Sequence, residues 1–232
     1  MINRVLSYLQ KTLIRREVTN FIRFIMDELL PPIIRDSRVF MYPFFYIAYK
    51  GKSVGLYMDF KSHLPTLSKR HLQKLYEEFD TIGTDRETDL TQSCLNFIIE
   101  NMDKEHATLL DVGCGRGLFL KLASQSGFDV VGCDLLVDRK CLKWKYCAGT
   151  LEDLPFKNNA FDIVTCHHTL EHAIDIRKSV SELKRVARKQ LIVTVPCQRY
   201  FYYTLDPHVH FFVNKATLVN IFNLERFLCS KI

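Results

Sequence analysis

The sequence predicts an α/β fold with a parallel sheet, preceded by a mainly helical N-terminal segment. Residues 107–112 form a short apolar run that leads into the glycine-rich turn at residues 113–117. Residues 118–123 have the pattern of a helix, and the apolar run 130–133 then ends in Asp134. Strand, turn, helix and strand in this order are typical of a parallel βαβ unit, because parallel neighbours need a crossover connection.

Helices are predicted before the sheet. Apolar residues recur at helical spacing over residues 5–29, with arginines between them, and Pro31 and Pro32 end that pattern. Two further helices are predicted at residues 72–79 and 90–102. Thr88 or Asp89 is a plausible N-cap for the helix at 90–102.

The rest of the chain continues the alternation of strands and helices. Strands are predicted near residues 144–147, 160–167 and 190–195, and helices at 176–188 and 214–222. Only about a dozen residues lie between Asp134 and the next strand, so the crossover helix there is expected to be stunted. Four basic residues favour the carboxyl end of the helix at 176–188, namely Lys184, Arg185, Arg188 and Lys189.

Composition limits the domain organisation and the compartment. The chain has 232 residues, of which 47% are hydrophobic, enough for one sizeable core with an appended subdomain. We expect residues 1–80 to form a helical and aromatic cap or lid, and residues 81–232 to form the sheet domain. The eight cysteines contain no C-x-x-C pair, which predicts a reducing, cytoplasmic environment. The sequence contains no apolar run of about 18 residues, so no membrane span is predicted.

The glycine-rich turn and Asp134 predict a nucleoside cofactor. Glycines at 113, 115 and 117 can take positive φ and let a ligand lie against bare main chain. A carboxylate can accept hydrogen bonds from two adjacent ribose hydroxyls, which suits Asp134 at the end of its strand. A dinucleotide site would need a third glycine where this chain has Leu118.

These residues resemble the first motifs of the class I S-adenosylmethionine-dependent methyltransferases, in particular the type 11 and ubiquinone-pathway enzymes. Five later blocks are similar in order, at residues 149–156, 161–164, 170–172, 182–186 and 192–196. The resemblance covers roughly residues 80–225. It implies a Rossmann-like methyltransferase sheet with S-adenosylmethionine as the cofactor. Relatives usually add an antiparallel pair of strands, for which residues 224–232 are too few, so we expect the last strand to be missing.

The resemblance also implies a role for each site residue. Asp111 would order the methionine end of the cofactor and Asp134 would bind the ribose, above the main-chain platform of Gly113, Cys114 and Gly115. Thr150 occupies a position where many relatives have an aspartate facing the adenine amino group. The remaining implied contacts are Leu135, Leu151 and Glu152 beside the adenine, and His167 and His168 on the methionine side.

Three histidines are candidates for a catalytic base, which is needed only for a hydroxyl or protonated amine acceptor: His172, His208 and His210. Each can instead simply hydrogen-bond to a neighbouring loop. The segment His168-Thr-Leu-Glu-His172 is similar to a metal-binding E-x-x-E-H segment of ubiquinone-pathway enzymes, and it also matches the H-x-x-E-H metalloprotease signature. A histidine replaces the first acid of the former, and the latter leaves the glycine turn unexplained, so no metal is assigned.

The acceptor is predicted to be a small molecule, a lipid-linked compound or a glycan, methylated on oxygen. The alternatives are an RNA or protein methyltransferase and a non-catalytic partner subunit that binds S-adenosylmethionine. DNA is not expected, because the strand ending at His168 lacks an Asn/Asp-Pro-Pro-aromatic block. The oligomeric state stays open.

An aromatic-dense stretch at residues 39–49 is followed by Lys50 and Lys52. Residues 1–75 carry a net charge of +8, against −2 for the remainder. The aromatic stretch can serve as a lid over the acceptor, as a peripheral contact with the inner membrane surface, or as a platform for nucleic-acid bases.

Overall fold

The computed structural model describes residues 21, 24–64, 73–77, 88–103, 107–136 and 144–232. Most of the helix predicted at 5–29, the ends of the one at 72–79 and the crossover at 137–143 lie outside these residues. The described residues belong to two compact units. The first unit holds the described residues up to 77 together with Gln198–His208. The second holds those from 88 to 197 together with Val209–Ile232.

The described part of the first unit contains short helices. A π-helical turn, Ile25–Leu29, precedes Pro31, and the helices are α1 (Pro32–Arg35), α2 (Arg38–Ala48), α3 (Val54–Met58) and α4 (Phe60–His63). The aromatic stretch predicted from the sequence therefore lies on helix α2. Ser37 caps this helix by accepting a hydrogen bond from the Phe40 N–H. Met41 and Phe45 are buried, which gives α2 one apolar face in the core of the unit.

The segment Gln198–His208 is fastened to these helices by hydrogen bonds between helix-side side chains and its own main chain. Lys61 Nζ donates to the carbonyl oxygens of Phe201 and Tyr202, each at 2.8 Å. The Tyr202 N–H donates to Asp36 Oδ1 at 2.7 Å, and the Tyr49 hydroxyl donates to the Leu205 carbonyl at 2.5 Å. These contacts explain why residues distant in sequence form one unit.

The second unit is built on five parallel strands in the order β3-β2-β1-β4-β5, a Rossmann-like arrangement. The strands are β1 (Thr108–Val112), β2 (Asp129–Asp134), β3 (Lys145–Ala148), β4 (Phe161–His167) and β5 (Ala187–Thr194). The helices are α5 (Gln92–Glu100), α6 (Leu118–Gln125), α7 (Ile176–Val186) and α8 (Lys215–Phe222). Within residues 195–232, all of which are described, no further strand joins the sheet.

The two central strands form the core of this unit. Leu109 and Leu110 of β1 and Ile163 and Val164 of β4 are fully buried, so both faces of the sheet are covered. Thr91 is the N-cap of helix α5, and its hydroxyl accepts the Cys94 N–H at 3.1 Å. The predicted caps Thr88 and Asp89 were wrong, because the cap is Thr91.

Helix α7 ends two residues earlier than predicted. Lys184 and Arg185 lie in its last turn as expected, but Arg188 and Lys189 belong to strand β5. Arg188 donates from Nε and Nη2 to Asp162 Oδ1 at 3.0 and 2.6 Å, and this pairing lowers the Asp162 pKa to about 2. Asp162 Oδ2 accepts the Thr108 N–H at 3.1 Å, so one carboxylate joins β1, β4 and β5.

No described helix combines the length and apolar character needed to cross a bilayer. The seven described cysteines are free thiols.

Candidate cofactor site

The glycine turn between β1 and α6 has the geometry that the sequence predicts. Gly113, Gly115 and Gly117 have φ values of +74°, +49° and +78°. A Cβ on Gly113 would lie 2.1 Å from Thr169 Oγ1, whereas one on Gly115 would meet no described atom within 4 Å. Gly113 is therefore required for packing, and the face of Gly115 is open to a ligand.

Asp134 lies beside this turn because β1 and β2 are adjacent, parallel and in register from Thr108↔Asp129 to Val112↔Cys133. Its Oδ2 accepts the Gly115 N–H at 2.8 Å, and its Oδ1 accepts the Leu136 N–H at 3.1 Å. Leu135 follows and is partly buried. The carboxylate and the open glycine thus meet at the carboxyl edge of the sheet.

Asp111 is a buried carboxyl one residue before the end of β1. The Thr165 hydroxyl of β4 donates to its Oδ1 at 2.8 Å. Burial raises the Asp111 pKa to about 7, and the negative charge of Asp134 adds to the shift. A nearby cation would favour the ionised form of this carboxyl.

Cys114 contributes its main chain, and not its side chain, to the surface of the turn. Its side chain is buried, with Sγ 2.8 Å from where a Cβ on Gly132 would lie. Burial raises the pKa of this thiol, so it remains protonated at neutral pH. The Cys114 N–H points to the Cys133 carbonyl oxygen at 3.4 Å.

The loop after β3 holds the three residues assigned to the adenine side. Thr150 forms an isolated bridge with Asp153, and its buried Oγ1 has no hydrogen-bond partner among the described residues. Leu151 packs against the hydrophobic core. Glu152 Oε1 accepts the N–H groups of Ile174 and Asp175 at 2.9 and 3.4 Å, so this side chain fastens the loop to the segment before α7.

Known proteins share the central part of this unit. Residues 110–193 match a family model described as a methyltransferase domain. The match covers less than half of the chain. The methyl donor of this class of domain is S-adenosylmethionine.

Individual relatives match over part of their length. The chain is 37% identical over 92 residues to the uncharacterized methyltransferase YcgJ of Bacillus subtilis, covering 35% of this chain and 36% of that protein. It is 29% identical over 115 residues to the ubiquinone biosynthesis O-methyltransferase of Rickettsia bellii, covering 43% and 48%. The solved structure of PH0226 from Pyrococcus horikoshii has a TM-score of 0.40 at 25% identity, covering 52% and 64%. The chain thus spans less than half the length of these two curated relatives.

Strand β4 ends at His167, and His168 follows it in different surroundings. His167 Nδ1 lies 3.0 Å from Thr194 Oγ1, and its ring meets Phe119 edge-on at 4.5 Å. Burial lowers the His167 pKa to about 3, so the ring is neutral. His168 has a left-handed backbone with φ of +48°, and its Nδ1 lies 3.5 Å from Oε1 of the buried Glu171.

The three histidines considered as bases are divided between the two units. His172 ends a 3₁₀ turn, Leu170–His172, and is half-buried. His210 Nε2 donates to the Ala173 carbonyl at 2.9 Å, and burial lowers the His210 pKa. Both belong to the second unit. His208 belongs to the first, where its Nδ1 lies 3.1 Å from Gln198 Oε1.

Sequence reasoning missed three residues that shape the site. Thr165 bonds to Asp111, Thr169 packs on Gly113, and the Tyr146 hydroxyl donates to the Leu136 carbonyl at 2.9 Å. Thr165 could have been recognised as a polar residue inside the apolar run of β4. The other two depend on cross-strand and loop contacts that spacing does not reveal.

Proposed function

We propose that the chain is an S-adenosylmethionine-dependent methyltransferase. It transfers a methyl group to oxygen of a small-molecule, lipid-linked or glycan-type acceptor. One observation carries this proposal: the open face of Gly115 and the carboxylate of Asp134 meet at one edge of a methyltransferase domain. This combination suits an adenosyl group, whose ribose offers two neighbouring hydroxyls.

Asp134 binds the ribose in this proposal. Its two oxygens already accept main-chain N–H groups, from Gly115 and Leu136. The ribose hydroxyls can share these oxygens, since an ionised carboxylate accepts about four hydrogen bonds. Gly113, Cys114 and Gly115 then supply the main-chain platform below the cofactor.

Asp111 faces the amino group of the methionine moiety. A buried carboxyl is costly to ionise alone, and a bound ammonium group offsets that cost. The hydrogen bond from Thr165 orients the carboxyl toward one position. His167 and His168, at the end of β4, line the same side.

The adenine lies between Leu135 and the loop that carries Thr150, Leu151 and Glu152. This loop is held firmly, because Arg185 Nη2 donates to the Leu154 carbonyl at 3.0 Å and Nη1 donates to the Phe156 carbonyl at 2.7 Å. The buried Thr150 hydroxyl is suited to accept one hydrogen bond from the adenine amino group.

The bound cofactor supplies an electrophilic methyl group, and the protein has to hold the acceptor in line with it. For a hydroxyl acceptor a base removes the proton. His210 suits this role, because its Nε2–H donates to Ala173 and leaves Nδ1 as the proton acceptor. His172 and His208 are the alternatives. A relative named as a ubiquinone biosynthesis O-methyltransferase supports an oxygen acceptor.

Incubation with methyl-labelled S-adenosylmethionine tests the acceptor class. Purified protein is mixed with separated metabolite, lipid, RNA and protein fractions from cells. We expect label in low-mass or lipid-extractable material. Label in RNA or protein would contradict the acceptor assignment, and cofactor binding without transfer to any fraction would favour a non-catalytic partner subunit.

We also propose that helix α2 contacts the cytoplasmic face of a membrane, where lipid-linked acceptors are found. Val39, Tyr42 and Tyr46 lie on one side of this helix and are 85%, 47% and 41% exposed. Lys50 and Lys52 follow the helix and are exposed. Aromatic residues beside lysines suit the headgroup region of an anionic bilayer.

A further inference from the structure

Tyr146 of β3 lies across strand β2. It pairs with Gly132 in register, and a Cβ on Gly132 would lie 3.0 Å from Tyr146 Cδ2. The same Cβ would lie 2.8 Å from Leu120 Cδ1. Gly132 therefore leaves the space that the tyrosine ring occupies next to the glycine turn.

The hydroxyl of Tyr146 and the carboxylate of Asp134 both contact the main chain of Gly115 and Leu136. Tyr146 Oη donates to the Leu136 carbonyl at 2.9 Å and lies 3.5 Å from the Gly115 carbonyl. Asp134 accepts the N–H groups of Gly115 and Leu136. Tyr146 thus contacts the carbonyl groups, and Asp134 contacts the N–H groups. Together they close a ring of polar contacts between the glycine turn and the end of β2.

We propose that Tyr146 is a positioning residue for the cofactor. It holds the segment after Asp134 beside the glycine turn, so the ribose-binding carboxylate keeps its place when ribose hydroxyls compete with the Gly115 N–H. This inference rests on the proposed function, because it assumes that Asp134 binds the ribose. Tyr146 acts through Asp134 and Gly115, without bonding to the reacting atoms.

The variant Tyr146→Phe tests the proposal. It removes only the hydroxyl and leaves the ring over Gly132, so the fold is retained. We expect the Kd for S-adenosylhomocysteine and the KM for S-adenosylmethionine to rise about fivefold, the effect of one hydrogen bond. The kcat at saturating cofactor should stay the same.

Tyr202→Phe is the matched control, since it removes a hydroxyl that lies 2.6 Å from Ser62 Oγ in the first unit. We expect its affinity for S-adenosylhomocysteine to equal that of the wild type. Both variants are measured well below their unfolding temperatures, so a purely structural role for Tyr146 would lower the Tm without changing Kd.

Two results separate this inference from the proposed function. A wild-type protein that does not bind S-adenosylhomocysteine overturns the proposed function and with it the role of Tyr146. A wild type that binds, together with a Tyr146→Phe variant within twofold of its affinity, overturns only the role of Tyr146. A fall in kcat with unchanged Kd would also contradict it.

Discussion

Asp111 shows how the fold prepares a single group for a charged ligand. The strand places its carboxyl in the protein interior, where Thr165 donates one hydrogen bond to it. Burial raises the pKa of this carboxyl to about 7. In the free protein, the group is therefore largely protonated at pH 6 and largely ionised at pH 8.

The proposed contact with the methionine amino group predicts pH-dependent binding. A cation favours the ionised carboxyl, so below pH 7 binding has to release a proton. We expect the affinity for S-adenosylhomocysteine to rise about tenfold from pH 6 to pH 8. Isothermal titration at several pH values measures this change.

Methylthioadenosine is the control ligand, because it keeps the adenosyl group and lacks the amino acid. Its affinity should vary much less over the same pH range, and Asp111→Asn should remove the difference between the two ligands. Equal pH dependence for both ligands in the wild type would show that Asp111 does not face the amino group.

At the scale of elements, the sequence was sufficient to place the strands within a few residues. The run predicted as residues 107–112 forms Thr108–Val112, and the one predicted as 160–167 forms Phe161–His167. Buried parallel strands are easy to recognise because both faces are apolar. The boundary between α7 and β5 was harder, since no turn residue separates Val186 from Ala187.

The main chain of the site was more predictable than its side-chain contacts. Glycines at 113, 115 and 117 signal positive φ directly, and the structure has it at each. The contacts of Tyr146 depend on the register Gly132↔Tyr146, which the spacing of residues does not fix. The helical form of α2 was also not predicted, because its aromatic residues and Pro43 obscure the pattern.

Helix α2 provides a prediction at this scale. If its exposed side contacts a membrane, the full chain should sediment with vesicles of phosphatidylglycerol and much less with phosphatidylcholine. The double variant Val39→Glu with Tyr42→Glu should reduce vesicle binding at least about tenfold, because two charges would have to enter the headgroup region. Val213→Glu, at a position that is 49% exposed in the second unit, is the control.

Unchanged sedimentation of the double variant would rule out α2 as the contact. Absence of binding by the wild type to both kinds of vesicle would contradict the membrane proposal as a whole.

At the scale of the whole molecule, the net positive charge and the assigned cofactor contacts lie in different parts of the chain. Residues 1–75 carry the net positive charge, whereas the assigned cofactor contacts all belong to the second unit. The Rossmann-like sheet brings Asp111, the glycine turn and Asp134 to one edge because β1 and β2 are parallel neighbours. The central claim is that this edge binds an adenosyl cofactor.

Calorimetric titration of S-adenosylhomocysteine into three proteins tests that claim most directly. The wild type should bind one molecule per chain, and Asp134→Ala should bind at least about a hundredfold more weakly, since two hydrogen bonds to a charged group are lost. Asp129→Ala, at the opposite end of β2, should bind like the wild type. Equal affinity for Asp134→Ala and the wild type would contradict the account.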